Sequence, residues 1–145
     1  MRKVEHNLQI NASPEKVIEA FVEFDMLKEW WGVERSLIEK REGGLYTIAW
    51  GVSDKGYEYI TSGIISRYDP RSVIEIDKCI YMGPERPLLG PVKLTIEATE
   101  NNRAADVHIV QDGYRDGEDW DWYYEAVAEG WPRAAADLKT YLEKQ

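Results

Sequence analysis

Hydrophobic and polar residues alternate at the start of the chain, where Val4, His6, Leu8 and Ile10 interleave with Lys3, Glu5, Asn7, Gln9 and Asn11. A period of two predicts a strand with one buried face. The pattern then changes. Ser13 suits a helix cap, Pro14 the first helical position, and Glu15 adds early negative charge. Val17, Ala20, Phe21 and Phe24 recur at helical spacing, which predicts a short amphipathic helix over about residues 14–24. A second helical turn from Asp25 to Trp31 ends at Gly32.

From there to residue 111 the signal is β. Tyr46, Ile48 and Trp50 share one face of a strand opened by Gly43 and Gly44. A long run from Tyr57 to Tyr68 is interrupted by Gly63, and Asp69-Pro70-Arg71-Ser72 makes a turn. Ile74, Ile76 and Ile80 mark the inner face of the next strand, and the Gly- and Pro-rich residues 82–91 read as an irregular loop. Val92, Leu94, Ile96 and Ala98 alternate again, and Glu100 to Arg103 turns the chain into Ala105, Val107 and Ile109.

The C-terminal region returns to a helical period. Trp120, Tyr123, Tyr124, Val127, Trp131, Ala134, Leu138 and Tyr141 keep a near-heptad rhythm, with Asp116 and Asp119 placed to cap the start. Such a helix would be on the order of 36 Å long, and Pro132 inside it is expected to bend it. Consecutive strands without intervening helices pair as an antiparallel meander that hides one face. Only the helices are available to cover that face. The expected fold is therefore α+β: a curved antiparallel sheet of about seven strands, two short helices, and a long C-terminal helix lying across the sheet. Curling the sheet around that helix leaves space between them.

At 145 residues the chain has the length of one domain, spanning 1–145, large enough to bury a real core. The net charge of −9 repels phosphate backbones and anionic membranes, so neither nucleic acid nor membrane is an expected partner. A single cysteine, Cys79, excludes an intramolecular disulfide and reads as a small buried hydrophobe. No apolar leader follows Met1, and no run reaches membrane-spanning length, so the expected location is cytoplasmic.

The order of elements resembles the helix-grip fold of the START and birch-pollen-allergen (SRPBCC) superfamily. More narrowly, it is similar to the family of homologues of the activator of the heat-shock protein 90 ATPase. The resemblance rests on Ile10 to Pro14 before Val17 and Phe21, on Trp30-Trp31-Gly32, and on Gly43-Gly44 before Tyr46. Gly113 to Tyr124, running into Gly130-Trp131 and Leu138 to Glu143, completes it. It implies small-molecule or lipid binding, chaperone co-activation, or cyclase and aromatase chemistry. Eukaryotic chaperone activators carry an additional N-terminal domain that binds the chaperone, whereas this chain starts directly at its first strand.

Six Trp and nine Tyr stand against two Phe. Rings with a polar handle suit surfaces that meet a ligand. The expected ligand-binding set is Trp31, Tyr46, Ile48, Trp50, Tyr59, Ile76, Ile96, Val107, Trp120, Tyr123, Tyr124 and Val127. The alternative is that these rings only fill the core. His6 and His108 lie on separate strands with opposite parity and no cysteine nearby, so no metal site is expected. Asp112, Asp116, Glu118, Asp119 and Asp121 lack the spacing of a calcium loop and read as a charged helix start. Glu125 and Glu129 fall off the helix stripe, Glu75 and Asp77 oppose Ile74 and Ile76, and tyrosines such as Tyr46 or Tyr59 lack a base to pair with. The sequence therefore favours a non-enzymatic, cofactor-free module for a small apolar or aromatic molecule. A chaperone-associated protein comes second and a cyclase-like enzyme third.

Overall fold

The alternating N-terminal segment forms β1 (Arg2–Ile10) in the computed structural model, which describes residues 2–145. Ser13 caps α1 (Pro14–Glu19), its hydroxyl accepting from the Lys16 amide at 3.2 Å. The expected helix over 14–24 is in fact split. Backbone bonds tighten, with the Phe21 N–H donating to the Ile18 carbonyl and the Val22 N–H to the Glu19 carbonyl, which ends α1 at Ala20 and turns the chain, while Val17, Ile18, Ala20 and Phe21 all stay fully buried. Phe24 opens α2 (Phe24–Trp31), which ends on Gly32 at φ 71°, a left-handed cap that glycine adopts without a Cβ penalty.

Six strands follow: β2 (Arg35–Ile38), β3 (Leu45–Ser53), β4 (Gly56–Asp69), β5 (Val73–Met82), β6 (Leu89–Asn101) and β7 (Ala104–Tyr114). With β1 they make one seven-stranded antiparallel sheet in the order β1-β7-β6-β5-β4-β3-β2. The edge strand β2 carries no clear alternation and was not anticipated. Residues 82–91 are more regular than their glycines and prolines suggested: β5 reaches Met82 and β6 begins at Leu89, which pairs with Tyr81.

A break in pairing in β5 reassigns its inner face. Register shifts between Ile76 and Cys79, where Lys78 sits at φ 51°, and the alternation slips by one residue. Ile74 and Ile76 point inward as expected, but beyond the bulge Cys79 is buried in place of Ile80, which is only half-buried. Opposite the bulge, a Cβ on Gly63 would come within 2.6 Å of Ile76 Cγ2 and 2.8 Å of the Asp77 carbonyl, so glycine permits this close strand approach.

Helix α3 (Glu118–Glu143) crosses the concave face and continues unbroken through Pro132. Neither Asp116 nor Asp119 caps it. Gly117 takes the cap position without a side-chain bond, and Asp119, inside the first turn, binds Arg86 at 3.0 Å instead. Both ends are tied to the sheet. At the start Arg2 meets Asp121 at 2.8 Å; at the finish Lys139 Nζ donates to the Gln9 carbonyl at 2.7 Å, and Glu143 accepts from the Asn11 amide at 2.9 Å. Ala135, Leu138 and Leu142 pack into the core, and α1 covers β6 and β7 beside them. No helix among the described residues is long and apolar enough to cross a membrane.

Candidate functional site

Two bands of inward side chains cross the concave face. The first is dry core: Ile48, Ile65, Ile74, Ile76, Ile96, Val107 and Ile109 each expose 2% of their surface or less. Tyr46 belongs to it, 1% exposed, with its hydroxyl donating to the Phe21 carbonyl at 2.6 Å. Burial pushes its phenol pKa up strongly.

The second band, nearer the start of α3, is not filled. Between it and the helix lies a cavity of about 530 Å³. The sheet supplies Trp50, Tyr59, Thr61, Cys79, Tyr81, Leu94 and Gln111. Helix α3 supplies Trp122, Tyr123, Ala126, Val127, Gly130, Trp131 and Ala134, and Trp31 of α2 closes one end. Small residues recur on the α3 side of this space, with Ala126, Gly130 and Ala134 at i, i+4 and i+8; the first two are exposed at its mouth and Ala134 is half-buried.

The walls grade from dry to wet. Cys79, Leu94, Gln111, Tyr123 and Trp131 are buried, whereas Trp31, Trp50, Tyr59, Tyr81, Trp122 and Val127 are half-buried and form the rim. Ring–ring contacts fix that rim. Trp31 packs at 5.3 Å from Trp50 and 5.4 Å from Trp131, and Tyr81 stacks on Tyr123 at 5.2 Å. Trp50 Nε1 donates to the Trp31 carbonyl at 3.0 Å. At the helix start, Arg86 from the 83–88 segment lies 5.0 Å over Trp122, and the Tyr59 hydroxyl donates to Glu85 of the same segment at 2.9 Å.

One polar chain lies in the buried part. Trp131 Nε1 donates to Gln111 Oε1 at 3.2 Å, and Gln111 Nε2 donates to the Tyr123 hydroxyl at 3.1 Å. Gln111 is only 6% exposed. Desolvation raises the phenol of Tyr123, raises that of Tyr81 to about 12, and raises the Cys79 thiol to about 12, so all three stay neutral at ordinary pH. None of the lining residues carries a formal charge.

Of the twelve residues expected from sequence, the cavity brings together Trp31, Trp50, Tyr59, Tyr123 and Val127. Tyr46, Ile48, Ile76, Ile96 and Val107 share the inward parity but lie in the filled band. Trp120 and Tyr124 lie outside the cavity, packed against Tyr114 at the start of α3, with Arg2 lying 4.7 Å over the Tyr124 ring. Several lining residues were missed. Gln111 continues the parity of Val107 and Ile109 and was readable as inward; Tyr81 was concealed by the β5 bulge. Trp122 flanks the expected stripe, and small residues such as Gly130 give no aromatic signal.

The remaining candidates disperse. His6 pairs opposite Ile109, while His108 reaches Glu5 at 2.7 Å; that bond, followed by Lys3, holds the Glu5 carboxyl below its usual range. Glu118 and Asp119 face Arg86, and Asp121 faces Arg2. Among the described residues, no group of three or more His, Cys, Asp and Glu is arranged to hold a metal.

A long helix gripped by a curved antiparallel sheet over an apolar space defines a helix-grip protein. The chain belongs to the family described as Activator of Hsp90 ATPase homolog 1-like protein, which matches residues 11–143. Solved structures of the same fold include protein MLL2253 from Mesorhizobium loti, at TM-score 0.78 and 19% identity over 99% of this chain and 98% of that one. The Aha1 dimer from Colwellia psychrerythraea aligns at TM-score 0.73 and 19% identity, over 99% and 97% of the two chains. CalU16 from Micromonospora echinospora aligns at TM-score 0.69 and 16% identity, over 97% of this chain and 76% of that one. No protein of curated function matches the chain.

Proposed function

We propose that the protein binds a small, flat, apolar molecule between the sheet and α3. The observation that carries this reading is the uncharged, aromatic-rimmed cavity of about 530 Å³, within the range of small-molecule sites. Rings along the rim offer faces for stacking, and the buried Gln111–Tyr123 pair offers a polar anchor. A lining without carboxylate, histidine or lysine favours holding a ligand over acid–base chemistry on it. Because Trp31, Trp50, Trp122 and Trp131 all line the space, intrinsic tryptophan emission reports occupancy. Titration with a panel of neutral aromatic and lipid-like compounds should give saturable changes for some members. No saturable response to any compound overturns the reading.

A second reading, association with the heat-shock protein 90 chaperone, draws on the family and on the sheet's other face. There Leu37, on the edge strand β2, is 60% exposed, and Ile64 of β4 is 40% exposed. Contact through that face predicts co-purification with the chaperone and loss of it in Leu37→Asp. Failure of the purified pair to associate removes this reading.

A further inference from the structure

The hydrogen-bond polarity at the bottom of the cavity specifies its ligand further. An indole nitrogen only donates, so the Trp131 contact at 3.2 Å fixes the Gln111 amide with its oxygen toward Trp131. The amide nitrogen must then face Tyr123, and the contact at 3.1 Å makes the Tyr123 oxygen an acceptor. Each bond in the chain Trp131 to Gln111 to Tyr123 thus runs in the same direction. It ends on a phenol whose own proton goes to no acceptor among the described residues.

The neighbouring groups do not supply that acceptor. Tyr114, with its ring centroid 5.4 Å from that of Tyr123, has a buried hydroxyl with no partner of its own. Cys79 is a protonated thiol and at best a weak acceptor. Both Tyr123 and Gln111 are more than nine-tenths buried, so bulk water does not freely satisfy the spare proton. An unused buried donor is costly until something accepts from it.

We infer that the cavity selects neutral planar molecules bearing a carbonyl oxygen, with Tyr123 donating to that oxygen and Gln111 holding Tyr123 in the donating state. An aromatic ketone or lactone has this chemistry. A bare hydrocarbon leaves the proton unused. A carboxylate would enter a lining without a positive charge, since Arg86 stands at the rim and is already held by Asp119 at 3.0 Å. The inference rests on the ligand-binding reading above and deepens it.

Three probes sharing one tricyclic frame test it: 9-fluorenone, fluorene and the planar-substituted fluorene-2-carboxylate. Binding is followed by the indole Nε1–H resonances, with that of Trp131 next to the polar chain. The expected result is that fluorenone binds about tenfold tighter than fluorene, the size of one net hydrogen bond, and that the carboxylate binds most weakly. Tyr123→Phe should shrink the fluorenone-to-fluorene ratio to about twofold or less. Equal affinities for the ketone and the hydrocarbon overturn the inference while leaving ligand binding intact. So does an undiminished ratio in Tyr123→Phe, or a carboxylate that binds as well as the ketone. Absence of binding by all three overturns it together with the reading on which it rests.

Discussion

At the residue scale, Trp131 ties the cavity wall to the core. It contacts Trp31, lies 6.4 Å from Phe21, and anchors the Gln111 amide while only 6% exposed. Trp131→Ala should therefore cost about 3–5 kcal/mol, through lost burial and an amide oxygen left without its donor. A chemical-denaturation midpoint unchanged by this substitution would contradict the packing described. Buried phenols give a second prediction. Tyr46, Tyr81, Tyr114 and Tyr123 all have raised pKa values, chiefly by desolvation. Above about pH 10 the unfolded chain releases these protons and the native chain retains them. The native state then binds more protons, and stability must fall with rising pH, by about 1.4 kcal/mol per pH unit for each such phenol. Below that range the four phenols contribute no pH dependence. Absorbance titration of the phenolates should show the buried Tyr46, Tyr114 and Tyr123 ionising only as the fold is lost.

At the element scale, α3 balances cover against space. Gly130 lies in mid-helix, where a Cβ would meet nothing within 4 Å. Gly130→Ala should raise stability by about 0.5–1 kcal/mol, because alanine loses less backbone freedom on folding. A fall in melting temperature would mean that the helix is packed more tightly there than described. Most of the elements were legible in the sequence because their periods were strong: two in β1, β6 and β7, and close to 3.6 in α3. The bulge at Lys78 was not. A one-residue slip exchanges the two faces of a strand without changing its composition, so Ile80 looked inward and Tyr81 did not. The two short helices were legible, but their boundary was placed late, because Val17, Ala20, Phe21 and Phe24 keep helical spacing straight through the turn at residues 20–23.

At the scale of the whole molecule, parity told which side chains face inward but not which inward positions are filled. Tyr46 and Trp50 share a strand face; one is sealed in core beneath Phe21, and the other stands at the cavity rim beside Trp31. That difference arises from where α1, α2 and α3 lie over the sheet, which no local period encodes. The same arrangement makes a third demand on the molecule. If α3 stands off the sheet between Tyr123 and Trp131, the space beneath it must accept an apolar atom without rearrangement. Diffraction from a crystal pressurised with xenon tests this most directly, since apolar cavities take up that gas. The account predicts xenon between α3 and β5–β6, close to Cys79 and Leu94. A helix collapsed onto these strands, with no xenon between them, would contradict it.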